Sequence, residues 1–403
     1  MRTLQITLKF NIIGPTLALV TLLSACSSIQ SKKHTPPPTI DPNSIQKLID
    51  QAQTDGKLPA IGALIKLHGR TIYFNTQGQR SLQHQPRVQL SDLWHLGSET
   101  KAMTAFLIAQ AVEQGKIHYD TPLNQLLPSI PTLHPGHQSL TLGNLLTHTT
   151  QIPDLAELED GLALKRISQS DLPLTLQRTK LIEAALQAKP VDSSDQTSTR
   201  QAPFRYTNIN YIILGHILEE IYQQPWEQII TTRLFTPLNM HSCGFGVAGK
   251  PTETQPSQPW PHMLVNQHLL GVLPKAKLDN PPLVGPAGTV HCNLTDWAQF
   301  ASEVIALWNQ KSLLIKNKET REQYFKTFQG QFYTFGGWMR EDEEFKTPTF
   351  MHDGSNTFNY ATALIAPAQN TIILITTNTA THEAKSALNT LKQQLFKLIF
   401  LMK

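Results

Sequence analysis

Between Lys101 and Glu113 the chain carries no charged side chain, running Ala102-Met103-Thr104-Ala105-Phe106-Leu107-Ile108-Ala109 and on to Val112. A helix that is apolar on every side has to be buried, so the rest of the chain must be built around this segment. Gly115 marks its end, because glycine readily takes the left-handed conformation with which many helices close. Its start reads Ser98-Glu99-Thr100-Lys101. Residues i and i+3 share a helix face, so the hydroxyl of Ser98 and the amine of Lys101 can meet in one cleft. A serine hydroxyl is a poor nucleophile until a neighbouring base takes its proton. A lysine becomes that base when a buried, cation-rich pocket lowers its pKa.

Two further short patterns follow in order, Tyr206-Thr207-Asn208 and His352-Asp353-Gly354. Each is weak alone, and the chain supplies its own controls. Ser44-Ile45-Gln46-Lys47 repeats the S-x-x-K spacing, Tyr73-Phe74-Asn75 the Y-x-N, and His95-Leu96-Gly97 and His134-Pro135-Gly136 the H-x-G. Context separates the candidates, since Ser44 opens a polar helix after a proline-rich stretch whereas Ser98 opens the charge-free one.

The three patterns in this order resemble the superfamily of serine β-lactamases, penicillin-binding proteins and related esterases, in which S-x-x-K is the acylation motif. The resemblance covers roughly residues 42–400. Trp94-His95-Leu96-Gly97-Ser98 is similar to that family's strand-turn entry to its nucleophile helix, and Leu145-Leu146-Thr147-His148-Thr149-Thr150 to its L-L-T-H-T-S-G block. Tyr206-Thr207-Asn208 running into Asn210-Tyr211 and Leu214-Gly215 resembles Y-S-N-x-N-Y-x-x-L-G. Phe235-Thr236-Pro237-Leu238-Asn239-Met240 looks like its P-L-G-M turn, and Pro286-Ala287-Gly288-Thr289 with Thr295-Asp296-Trp297 looks like its A-G-G and T-x-x-D segment.

The resemblance implies a serine hydrolase with Ser98 as acylated nucleophile and no cofactor. Lys101 would accept the Ser98 proton or lower the phenol pKa of Tyr206, and Tyr206 would return a proton to the leaving group. Asn208 would bind a substrate amide and fix Lys101, although it could equally cap a helix. The backbone N–H groups of Ser98 and of Ser355, just after Gly354, would form the oxyanion hole. His148 is expected to satisfy backbone groups. The departure lies at His352, where β-lactamases carry the lysine of K-T-G; a histidine is only partly charged near neutral pH. That edge resembles D,D-peptidases, D-amino-acid peptidases and esterases, and favours an ester or D-amino-acid peptide or amide bond as substrate. Two alternatives stand beside it: a β-lactamase or D,D-carboxypeptidase acting on β-lactams or peptidoglycan, and a non-catalytic envelope binding protein.

The N-terminus carries a second signal. Arg2 and Lys9 precede an apolar stretch from Ile12 to Leu23, shorter than a comfortable membrane span, and Leu23-Ser24-Ala25-Cys26 resembles a bacterial lipobox. It implies a signal peptide over 1–25, lipidation of Cys26, and a tether over 26–43 containing Pro36-Pro37-Pro38. Several acyl chains hold a protein on a membrane where one does not, and Ser27 after the cysteine resembles lipoproteins sorted to the outer membrane. The expected location is therefore the periplasmic face of the envelope, with the hydrolase domain at 44–403 acting as a monomer on a small-molecule or peptidoglycan-derived substrate.

Two of the 34 basic residues and none of the 30 acidic ones lie in the leader, so the remainder carries only +2. That balance, without a basic cluster interleaved with aromatics, argues against nucleic acid. Of the 3 cysteines, Cys243 and Cys292 remain, as a disulfide or as two buried thiols. No metal site is expected, since His134 and His137 in a Pro/Gly loop offer two ligands where zinc needs more.

Ile61–His68 and Thr71–Thr76 look like a hairpin turning at His68-Gly69-Arg70, and Phe358–Ile365 and Thr371–Thr377 like a second pair joined at Pro367-Ala368-Gln369-Asn370. Helices are expected at Ser44–Gln53, 98–115, 141–147, 208–223 and Glu383–Phe400, with a polar loop from Asp192 to Gln201. The fold class is α/β (α+β), an antiparallel sheet flanked by the N- and C-terminal helices with an inserted helical region, as in the β-lactamase/transpeptidase-like fold.

Overall fold

Both hairpins form, and they join edge to edge. The computed structural model describes residues 40–191, 203–274, 279–328, 331–342 and 347–400. Its principal sheet has six antiparallel strands in the order Arg70–Gly78, Ala60–Leu67, Thr371–Thr377, Tyr360–Ala366, Thr349–Ser355, Met339–Glu341. The register sets Ile61 opposite Thr377 and Ala363 opposite His352. The first hairpin closes at His68 and Gly69, both with positive φ of 49° and 77°. That twist matches the strands it joins, and it asks for glycine at one of the two positions.

The central strands Tyr360–Ala366 and Thr371–Thr377 are buried at every position, because helices cover both faces of the sheet. Alternate side chains go to opposite faces of a strand. Ile61, Ala63, Ile65, Ile373 and Ile375 accordingly pack with Ile45 and Ile49 of the helix Pro42–Asp55 and Leu388, Leu391 and Leu395 of the helix His382–Phe400. Leu64, Ala361, Ala363, Ile372 and Leu374 face the larger core, which contains Phe106, Ile108, Trp297 and Phe300. Each such isoleucine or leucine contributes about 1.5–3 kcal/mol on burial. The first helix begins at Pro42, two residues before the expected Ser44. Asp41 caps it by accepting from the N–H of Asn43, and proline in the first turn sacrifices no helical hydrogen bond.

The helix almost free of charge spans Thr100–Glu113 and is buried from Thr100 through Ala111. Its neighbours include Asn208–Tyr222 and the short turn Gly285–Gly288. Leu162–Ser168 and Leu174–Gln187 supply the inserted helical region. Val290–Cys292 pairs with Trp94–His95 on one side and Gly244–Phe245 on the other. Cys292 is disulfide-bonded to Cys243, which resolves the pairing that sequence leaves open. Cys26, the proline tether up to Thr39 and the polar loop at 192–201 lie outside the described residues. Among those described, no helix is long and apolar enough to cross a membrane.

Candidate active site

Three separate stretches converge on Ser98. The chain turns through a short 3-10 segment, Gly97–Glu99, before the buried helix begins. Gly97 has φ +52°, and a Cβ there would lie 2.3 Å from the Ser355 nitrogen. A Cβ on Gly354 would lie 1.9 Å from Leu96 O and 2.9 Å from Ser98 N. Two glycines, one on each side, thus let the strand Thr349–Ser355 press against the turn that carries Ser98. The amides of Ser98 and Ser355 flank that contact.

Lys101 is fully buried. Its Nζ lies 3.0 Å from Ser98 Oγ, 2.8 Å from Asn208 Oδ1 and 2.7 Å from Ala287 O. Burial lowers its pKa to about 7, against the partly opposing charge of Asp154. Ala287 is placed by close packing: Thr104 Oγ donates to Pro286 O at 2.7 Å, and a Cβ on Gly215 would stand 2.2 Å from Pro286 Cγ. The Leu214-Gly215 pair therefore belongs to the site by letting the helix Asn208–Tyr222 approach that turn.

Asn208 is the first residue of its helix rather than the cap. Thr207 holds the cap position without a side-chain bond, and Asp154 from a distant loop accepts from the N–H groups of Asn208 and Ile209, both at 3.0 Å. A carboxylate suits the positive end of a helix, and it leaves the Asn208 amide free to receive the Lys101 bond. The Tyr206 ring stands at the cleft mouth, 41 % exposed. Its hydroxyl shares a hydrogen-bond interaction with Ser98, and burial pushes the phenol pKa up. His148 fixes the segment on both sides of Tyr206: its carbonyl accepts from Arg205 N at 2.8 Å and its Nδ1 from Thr207 N at 3.2 Å. Burial, then the nearby Lys101, holds its imidazole well below the usual range, so it is neutral.

The expectation of a partly charged His352 needs correction. The side chain is 2 % exposed, and burial, reinforced by Lys101, lowers its pKa to about 4. Its Nδ1 lies 2.9 Å from Asp353 O, a carbonyl that only accepts, so Nδ1 carries the proton. Nε2 then accepts from the Tyr333 hydroxyl at 2.9 Å. Both ring nitrogens are engaged, and the group they orient is Tyr333, whose ring meets His148 edge-on at 4.9 Å. Asp353 turns to the opposite face of the strand, where Lys392 Nζ reaches it at 2.9 Å. Sequence reasoning missed Asp154, Tyr333 and the Ala287 carbonyl. Asp154 and Tyr333 sit in loops without a pattern, and a backbone acceptor leaves no trace in residue type. Among the described residues no group of three or more His, Cys, Asp or Glu is arranged to hold a metal.

Fold and site together define a protein of the β-lactamase/transpeptidase-like superfamily of serine hydrolases. The family model described as Beta-lactamase matches residues 45–395, and the chain belongs to that family. It is 26% identical over 299 residues to PbpX of Bacillus subtilis, covering 72% of this chain and 68% of that one. It is 23% identical over 202 residues to Protein flp of Staphylococcus aureus, covering 50% of this chain and only 38% of the relative's length. Among solved structures, the octameric penicillin-binding protein homologue of Pyrococcus abyssi superposes with a TM-score of 0.66 at 22% identity, covering 88% of this chain and 78% of that one. D-amino acid amidase of Ochrobactrum anthropi superposes with a TM-score of 0.67 at 16% identity, covering 89% and 98%. A class C β-lactamase of Rhodobacter sphaeroides gives 0.65 at 17%, covering 88% and 99%.

Proposed function

We propose that the protein is a hydrolase working through an acyl-Ser98 intermediate on an ester or a D-amino-acid amide or peptide bond. The carrying observation is the set of three oxygens around the Lys101 amine. Asn208 Oδ1 and Ala287 O can only accept. A neutral amine has two N–H donors for those two and one lone pair, which then faces Ser98 Oγ. A pKa of about 7 populates that form near neutrality. Ser98 Oγ attacks the carbonyl as its proton passes to Lys101 Nζ, and the oxyanion rests on the N–H groups of Ser98 and Ser355. Tyr206, held protonated by burial, relays the proton from Lys101 to the leaving group. Water then hydrolyses the acyl-serine by the reverse relay. These pKa directions favour Lys101 rather than Tyr206 as the base.

The substrate preference follows from the neutrality of His352. A fixed cation at that edge would suit the carboxylate of a β-lactam, and a buried neutral imidazole supplies none. A fluorophosphonate probe should label wild type and not Ser98→Ala, with hydrolysis of short p-nitrophenyl esters lost in parallel. Labelling that persists in the alanine variant would refute the assignment. Nitrocefin turnover faster than ester turnover would move the reading to a β-lactamase, and no turnover of esters, D-amino-acid amides or cephalosporins would favour the binding protein.

We further propose that Cys26 is lipidated and tethers the domain to the periplasmic side of the envelope, at the outer membrane. The lipobox-like Leu23-Ser24-Ala25-Cys26 supports this. Metabolic labelling with an alkynyl palmitate should mark wild type and not Cys26→Ser, and recovery of both in the soluble fraction would overturn it.

A further inference from the structure

We propose that His95 and Asp279 form a positioning dyad that holds the two backbone donors of the oxyanion hole in register. The proposal rests on the acyl-serine reading above and adds two residues to it. The two side chains are 2% and 3% exposed. His95 Nε2 lies 3.0 Å from Asp279 Oδ1 and 3.1 Å from Oδ2. The other ring nitrogen, Nδ1, accepts from the N–H of Gly97 at 3.1 Å. An N–H can only donate, so Nδ1 is bare and Nε2 carries the proton given to Asp279. The tautomer is thereby fixed, and the imidazole links the carboxylate to the residue immediately before the nucleophile.

Gly97 has reason to need such a tether. Its φ of +52° departs from the helix that follows, and it lies so close to Ser355 that a Cβ would sit 2.3 Å from that amide nitrogen. A small rotation about Gly97 would swing the Ser98 N–H relative to the Ser355 N–H. On the far side, the same carboxylate accepts from Asn356 Nδ2 at 3.1 Å. Asn356 directly follows Ser355, and its Oδ1 accepts from Asn359 N at 2.8 Å, fixing the turn that leaves the strand. One carboxylate therefore reaches the Ser98 side through His95 and the Ser355 side through Asn356. Its neighbour Asn280 donates to Gly288 O at 2.9 Å, beside the Ala287 carbonyl that holds Lys101. Neither His95 nor Asp279 touches the reacting atoms; they act through the two amides.

An oxyanion hole works on the transition state more than on the bound substrate. Loss of one donor typically costs about 10²–10³ in kcat, and a donor displaced rather than removed costs less. The test uses the whole protein, with active sites counted by fluorophosphonate titration. His95→Phe and Asp279→Ala should lower kcat per titrated site on p-nitrophenyl butyrate by about tenfold or more, leave KM within about twofold, and weaken a phenylboronic acid by the same factor as kcat. The boronate forms a tetrahedral adduct on the serine and so reports the hole directly. Asp279→Asn keeps an oxygen for the His95 N–H and should recover most of the loss. Asn356→Ala cuts only the Ser355 arm and should act in the same direction, which covers the case in which the buried-dyad variants fold poorly. A merely structural role would reduce the fraction of titratable sites and leave kcat per site and boronate affinity unchanged; that result overturns the dyad. Activity surviving in Ser98→Ala would instead overturn the acyl-serine reading, and the dyad with it.

Discussion

In the proposed mechanism the chemistry turns on Lys101, and the setting of that side chain makes a pH prediction with a definite sign. That mechanism uses the lone pair of the amine, which must therefore be neutral. With a pKa of about 7 set by burial, kcat/KM in the free enzyme should climb as pH rises through about 7 and then level off. A pH profile of ester hydrolysis checks this; a rate already flat from pH 5 to 8 would assign the proton to another group. Lys101→Arg keeps a cation that does not deprotonate and should lose about 10²–10⁴ in rate. Glu99 is the other unusual charge. It is fully buried, and neither carboxyl oxygen has a hydrogen bond of full geometry, although Ala363 N–H lies near. Burial, then the charge of Asp353, raises its pKa well above the ordinary value. A carboxyl protonated when folded and ionised when unfolded costs stability as pH rises past the unfolded value. Glu99→Gln should therefore raise Tm at pH 7, with the gain shrinking toward pH 4, and melting curves at the two pH values measure it.

Among the elements, those with long internal periodicity are readable in the sequence and those defined by partners are not. The helix at Thr100–Glu113 announces itself because no charge interrupts it between Lys101 and Glu113, and the first hairpin because its apolar runs are bounded by turn residues such as Gly69. Trp94–His95, Gly244–Phe245 and Val290–Cys292 are two or three residues each, too short to show a period, and exist because each finds a neighbour. The site divides the same way. Ser98, Lys101, Tyr206 and Asn208 sit at helix starts with fixed spacing, whereas Asp154, Asp279 and Tyr333 reach it from loops through tertiary contact alone. His95-Leu96-Gly97 has the H-x-G spacing by chance, yet His95 contacts the nucleophile turn in another role. The disulfide belongs to this scale: Cys243 and Cys292, separated by 49 residues, clamp the small sheet whose strand Trp94–His95 leads into Ser98. Closing a loop of that length is worth about 4 kcal/mol on a chain-entropy basis. The double variant Cys243→Ala/Cys292→Ala should lose stability of that order in denaturant melts, and the same loss should appear in wild type under reducing conditions.

Across the molecule, the principal sheet separates the cleft from the two terminal helices, and one strand serves both sides. In Thr349–Ser355, His352 and Gly354 face the catalytic side while Asp353 faces the other, where it meets Lys392 of the helix His382–Phe400 and the hydroxyl of Thr362. The C-terminal helix is thereby tied through Asp353, as well as through the packing of Met351, to the strand that carries the Ser355 amide. Burial alone would raise the Asp353 carboxyl, but the Lys392 charge and the Thr362 bond outweigh it and hold the pKa below the ordinary value. A depressed carboxyl contributes stability that is complete above its unfolded pKa and disappears as pH falls through the folded one. Lys392→Met keeps the packing stem and removes the charge. Breaking a fully buried pair costs about 3–5 kcal/mol. With the Asp353 side chain 33% exposed, solvent screening brings the expectation nearer about 2 kcal/mol. The deficit should be full at pH 7 and smaller at pH 3, below the ordinary carboxyl value of 3.8, where the unfolded chain is already taking up the proton and the advantage of the folded pair shrinks. Urea melts of both proteins at the two pH values decide the matter. An equal deficit at both would show that Lys392 acts through packing rather than through its charge.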